Sequence, residues 1–257
     1  MDTAMVVGRL TVGGVLERMG EIERGLESGD GVAAFTRVYR RVTEFVVEDL
    51  AAGRFADGAF VERLDVVFAE LFFANVDRVA EGREAGRAWR PLFESRADAR
   101  VWPFQHVLAG MNAHINHDLA LAVIETCVER GVEPDAAVHA DFLRINATLE
   151  RAEAEVRAGV EPWFAKLPGE EAEAVKHLLG SFSVARARDL AWQTVEMLWP
   201  QRDLPHLYAR SAGLIAQVVG FAGRLLVAPA LASVPRAHTT APELPPPTTR
   251  HLRLSPG

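Results

Sequence analysis

From Pro103 the chain runs without a helix breaker to Gly131. Proline suits the first turn of a helix, where its missing N–H would have no partner, and a glycine just past the last turn is the usual stop. At 1.5 Å per residue such a helix is roughly 40 Å long, enough to cross a whole domain. A rod of that length, apolar on most sides, has to lie in an interior, so the rest of the chain must wrap around it.

Helical periodicity supplies the wrapping. Val15, Met19, Ile22 and Leu26 recur at steps of three and four before Gly29. Asp30 is placed to cap a second helix carrying Phe35, Val38, Val42, Phe45 and Val46, and Asp57 a third carrying Phe60, Leu64, Val67, Phe68, Leu71 and Phe72. Tyr39 and Asp65 fall beside these stripes, within reach of an interior polar site. Trp89, Leu92 and Phe93 mark a short helix in the charged connection between Gly82 and Arg100. Beyond the rod, helices are expected from Pro134 to about Gly159, from Pro168 to about Leu179, from Ser183 to Trp199 and from Leu204 to Ala228.

The apolar stretch from Ser211 to Ala232 approaches the length of a membrane span, but Gln217 and Arg224 interrupt it, and it reads as a core helix. Strand alternation and solenoid periods are both missing. The expected fold class is all-α: a single-domain bundle of seven to nine helices over residues 12–230, built on a long central helix. Residues 1–11 form an N-terminal segment. Residues 231–257 form a disordered tail, since six of the fourteen prolines lie there.

The net charge of -7, with basic residues dispersed, argues against nucleic acid as a partner. The single cysteine, Cys127, forms no intramolecular disulfide and reads as a buried small hydrophobe. The opening MetAspThrAlaMet lacks the charged and apolar regions of a signal peptide, so a cytoplasmic location and no membrane span are expected. GxSxG, P-loop, HExxH and CxxC patterns do not occur.

The rod itself carries the anomaly. Between Gln105 and Leu119 stand seven strongly polar residues: Gln105, His106, Asn112, His114, Asn116, His117 and Asp118. Gln105, Asn112 and Asn116 fall on one line of a helical wheel, with His114, His117 and Asp118 on an adjacent arc. A buried polar group costs a few kcal/mol unless it is hydrogen-bonded, so the cluster is either satisfied by neighbours or open to a ligand.

Three readings follow. In the first, His114, His117 and Asp118 bind a divalent transition metal such as zinc, with carboxylates from Glu44, Asp65, Glu70 or Asp189 and few further histidines (His139, His177, His206), and a metal-bound water hydrolyses an ester. In the second, His114 and Asp118 form an acid/base pair without metal, His117 faces a small-molecule substrate, and Gln105, His106, Asn112 and Asn116 bind it. In the third, the cluster ties helices together without catalysis, and Asp118 pairs with Arg144, Arg186 or Arg188. Metal-assisted hydrolysis is taken first, with His114, His117 and Asp118 as catalytic residues. Arg186, Asp189 and Trp192 share helical spacing and read as a surface ion pair, while His206 and Tyr208 stand near a helix start.

Three segments, Ala109–Leu119, the ArgLeuAspValValPheAla run from Arg63 and the AspPheLeuArgIleAsn run from Asp141, resemble an all-helical actinobacterial family of unknown function. The resemblance implies a helical fold from Val12 to Ala228 and no particular reaction. A fainter similarity links His114 and Asp118 to the His-x-x-x-Asp helix motif of the zinc-dependent phospholipase C and P1 nuclease group. It implies a shared metal site at those two residues, although this chain lacks that group's N-terminal Trp and further His ligands.

Overall fold

The computed structural model describes residues 10–164 and 183–229, whose regular structure is entirely helical. The helix expected from Pro168, most of the N-terminal segment and the Pro-rich tail lie outside the described residues. Local chemistry starts each element. Thr11 caps α1 (Val12–Gly25), its hydroxyl accepting from the Gly14 N–H at 3.2 Å. The Asp30 carboxylate caps α2 (Gly31–Ala51), accepting from Val32 and Ala33, and Asp57 caps α3 (Gly58–Ala80) through Phe60. The short α4 (Arg90–Ser95) carries Leu92 and Phe93 into the core.

The central rod runs from α5 (Pro103–Ala113) through a π-helical turn (His114–Asp118) into α6 (Leu119–Arg130). Gly131 ends it in the left-handed conformation, φ 64°. Then follow α7 (Ala136–Phe164), α8 (Val184–Leu198), capped by the Ser183 hydroxyl, and α9 (Pro205–Leu226). With the rod taken as one helix, the described residues form eight.

Packing follows the apolar stripes. The α5 half of the rod lies between α2 and α9, and the α6 half lies against α3 and α8. Two hydrophobic cores result, one holding Phe35, Phe72, Trp89 and Leu92, the other Val123, Phe142, Trp192 and Leu198. Phe68, Met111 and Ile215 border both, so the π turn stands where the cores meet. Each of these large side chains stabilises the fold by about 1.5–3 kcal/mol when fully buried. Cys127 lies in the second core, 0% exposed.

The last helix departs from expectation. It buries Val219, Gly220 and Gly223 against the bundle, but Leu214, Val218, Phe221 and Leu225 are each more than half exposed. It is therefore an amphipathic helix packed on one face and not a core helix. No helix of the described residues is long and apolar enough to cross a membrane.

One close approach fixes the site's surroundings. A Cβ on Gly110 would stand 2.3 Å from the Phe35 ring, so α2 nests into the rod only because that side chain is absent. Phe35 is followed one turn later by Tyr39, which reaches the interior the same way. Gly110→Ala is expected to cost about 1–3 kcal/mol through overpacking. A lowered urea midpoint at unchanged slope would show this, whereas an unchanged midpoint would mean that the Phe35 ring can move aside.

Candidate functional site

The π turn gathers the site. Its widened register has the Leu119 N–H bonding the His114 carbonyl five residues back, a local geometry found frequently at functional sites. Asp118, 2% exposed, points into the junction of the cores. Its Oδ2 accepts from the Trp89 indole N–H at 2.8 Å and from His114 Nδ1 at 3.2 Å, while Oδ1 accepts from His117 Nδ1 at 2.7 Å. One carboxylate thus holds two imidazoles. The His114 side chain is buried, whereas that of His117 is 19% exposed and forms the end nearest solvent.

Aromatic rings enclose His114. Phe68 stacks on it, with centroids 3.4 Å apart and planes 3° off parallel, and Tyr39 meets it edge-on at 4.4 Å. Phe35 and Trp89 complete the wall. Burial in this cage holds His114 below its ordinary pKa, although Asp118 pulls the other way, so the ring is neutral at pH 7. Burial pushes Asp118 up, but the bonds from His114 and His117 outweigh it and the carboxyl stays below its ordinary value. With Nδ1–H directed at Asp118, the neutral ring keeps a lone pair on Nε2, and that buried atom has no partner.

The other half of the cluster is spent on bracing. Gln105 donates to the Leu226 and Ala228 carbonyls at 2.8 and 2.9 Å and accepts from the Trp102 N–H, closing the end of α9. His106 Nε2 bonds the Ser95 carbonyl at 3.0 Å, and burial holds its pKa down. Asn112 donates to the Val219 carbonyl and accepts from Asn116, whose Oδ1 is left open. These four residues join α4, the rod and α9 and do not converge on one ligand.

A cavity of about 60 Å³ lies beside the turn. Tyr39, Asp65, Phe68 and Arg188 are in its wall, and the rest is aliphatic, including Val46, Leu64, Ile115 and Leu149. His114 stands one layer behind, against Phe68 and Tyr39. Tyr39 Oη and Asp65 Oδ2 are buried without a hydrogen-bond partner. Burial, then the charges of Asp65 and Asp118, raise Tyr39 well above the ordinary phenol value, so it is neutral. Burial alone pushes Asp65 up to about 7. Arg188, 4% exposed, is drawn down by burial to about 9 and remains charged at neutral pH.

The sequence places Tyr39 and Asp65 near the interior, but gives Trp89 only a packing role and Arg188 only as a partner of Asp118, whereas Trp89 bonds Asp118 and Arg188 lines the cavity. Asp118 pairs with none of Arg144, Arg186 and Arg188: Arg144 pairs with Asp141, Arg186 is exposed and Arg188 bonds α7. Glu44 and Glu70 pair with surface arginines, and Asp189 and His206 are exposed. Trp192 is buried, with His139 stacked on it at 4.1 Å and its indole N–H donating to Glu196 at 3.2 Å, while Arg186 and Asp189 are exposed. His177 lies outside the described residues. Both Nδ1 atoms of the π turn are turned to Asp118. Among the described residues no group of three or more His, Cys, Asp or Glu side chains is placed to hold a metal ion.

The arrangement defines an all-helical bundle protein organised round a buried carboxylate with two imidazoles. The chain belongs to the family of unknown function DUF5995, whose model matches residues 12–229. No curated protein and no solved structure is matched by the chain. Three runs of the chain come together near the cavity: the Arg63 run brings Asp65 to its wall, the rod brings His114 and Asp118 to the π turn, and the Asp141 run brings Phe142 and Asn146 against Arg188.

Asp65 sets a pH dependence of stability. An acid whose folded pKa lies above its unfolded value takes up a proton on folding, so its stabilising contribution is complete below about pH 4 and is lost as the pH rises toward 7. Asp65→Asn is expected to match the wild type near pH 4 and to exceed it by on the order of a few kcal/mol at pH 8. Denaturant titrations at both pH values measure the gap. An equal gap at each would show that Asp65 ionises normally.

Proposed function

We propose that the protein is an enzyme that performs metal-free acid/base chemistry on a small molecule held in the cavity of Tyr39, Asp65 and Arg188. The observation that carries this reading is that the cavity wall holds two buried polar atoms without a hydrogen-bond partner, Tyr39 Oη on α2 and Asp65 Oδ2 on α3, with the unpartnered Nε2 of His114 belonging to the ring one layer behind. Gln105 and Asn112, which brace the core, are paired, as buried polar groups usually are. Groups left open beside a cavity are arranged for something that enters it.

The roles follow from protonation. Asp65, near 7, gives or takes a proton at neutral pH, the condition under which general acid/base catalysis is most effective. Tyr39 supplies a neutral O–H donor to a substrate oxygen or nitrogen. His114, one layer behind that wall, keeps a lone pair at Nε2 and packs on Tyr39 and Phe68, its tautomer fixed by Asp118. His117 connects the same carboxylate to solvent and can replace protons used inside. Metal-assisted hydrolysis is set second, because among the described residues no group of three or more His, Cys, Asp or Glu side chains is placed to hold a metal ion.

The test is untargeted. The full chain is incubated with a bacterial small-molecule extract, with and without EDTA, and compounds that change are followed by mass spectrometry. A compound converted by the wild type, undiminished by EDTA and slowed about 100-fold or more by Asp65→Asn and by His114→Gln, is the expected result. Conversion lost in EDTA and restored by zinc would return the metal mechanism. No conversion by a folded wild type would leave the polar cluster as a brace only.

A further inference from the structure

Arg188 is the least expected member of the cavity wall. It stands on the buried stripe of α8 between Val184 and Ala191, Val195 and Leu198, a position where an aliphatic residue would pack without cost. Its guanidinium spends Nε on the Asn146 side-chain oxygen at 2.6 Å and one Nη2 N–H on the Phe142 carbonyl, and its face rests 4.0 Å from the Phe142 ring. These partners are neutral. Among the described residues no carboxylate forms an ion pair with it, and its neighbour Asp189 is exposed. Removing an unpaired cation from water costs several kcal/mol. A neutral amide could make the same two bonds, so bracing α7 does not account for the charge.

We infer that the ligand of this cavity is a short-chain carboxylate, its anionic group held by Arg188 and its hydrocarbon body packed on the aliphatic wall. Two of the five guanidinium N–H donors are engaged, which leaves donors for a planar carboxylate to take in the forked geometry that arginine favours. With Asp65 of the same wall protonated, one negative charge balances the one buried positive charge, whereas a phosphate, carrying about −1.5 to −2 at pH 7, would exceed it. The size of the cavity, about 60 Å³, limits the occupant. At roughly 15 Å³ per water it equals about four waters, room for a carboxyl group and a few carbons. Tyr39 and Asp65 then face the carbons next to the carboxyl group, where acid/base chemistry would act.

The inference rests on the cavity assigned above and is tested separately from the chemistry. Butyrate, n-butanol and n-butylamine are titrated calorimetrically into the full chain at pH 7. Saturable butyrate binding, at least tenfold tighter than that of either other probe, is expected. In Arg188→Gln the butyrate preference falls at least tenfold, and Arg188→Lys, which keeps the charge, recovers part of it. Equal binding of butyrate and butanol, butanol binding alone, no binding of any probe, or undiminished butyrate binding by a folded Arg188→Gln would overturn the inference. Should Arg188→Gln not fold, the three probes on the wild type still decide. Butanol binding without butyrate preference removes the carboxylate and leaves acid/base catalysis standing, whereas butyrate binding without any conversion in the extract assay keeps the carboxylate and removes the catalysis.

Discussion

Taking an ionised carboxylate out of water costs several kcal/mol unless donors replace the lost solvent, and Asp118 carries that cost at the centre of the bundle. Its three donors come from two places: the Trp89 indole just before α4, and His114 and His117 in its own turn. Each donor constrains something larger. Trp89 pins the connection after α3 across the rod. The π turn lets both imidazoles address one carboxylate, and His114 in turn is caged by Phe35, Phe68 and Tyr39, so α2 and α3 are drawn to the same point. The two hydrophobic cores meet there and cover the polar centre on every side but that of His117, whose side chain is 19% exposed.

The polar residues of the rod divide by function within a single helix. Gln105, His106 and Asn112 spend their donors and acceptors on backbone carbonyls or on a neighbouring amide, the ordinary fate of buried polar groups. His114 keeps an open Nε2, and the cavity one layer away adds an open phenol, an open carboxyl and a buried guanidinium whose hydrogen-bond partners are neutral. Low dielectric strengthens every interaction in such a place, and makes each unmatched group costly. Buried atoms without a partner also occur away from the cavity, at Thr43, Asn116 and Thr126, but among the described residues only at the cavity do an open phenol and an open carboxyl share one wall with a buried guanidinium.

Most of the fold was legible in the sequence because its signals are local. Asp30, Asp57 and Ser183 cap the helices they precede, Gly131 ends the rod, and Trp89 to Phe93 form the short helix. The site was legible only in part. The density of polar residues between Gln105 and Leu119 pointed to the correct stretch, but a wheel of 100° per residue cannot show a π turn, and so cannot show that both imidazoles turn inward to Asp118. Which polar group bonds which depends on α9 and α4, far away in sequence. Arg188 did leave a signal: its step of three to Ala191 and seven to Val195 sets a charge on a buried stripe. The exposed face of α9 is the converse case, since a stretch apolar on both sides hides which side the bundle covers.

The most direct measurement of the account is a long-range ¹H–¹⁵N correlation spectrum of the histidine rings in the ¹⁵N-labelled protein between pH 5 and 8. The account requires His114 to stay neutral throughout, with its proton on Nδ1 and a bare Nε2, as a ring held by Asp118 in a water-free cage must be. A His114 ring that titrates like an exposed histidine, or that carries its proton on Nε2, would contradict it: the buried carboxylate would then not set the tautomer, and no lone pair would await a ligand.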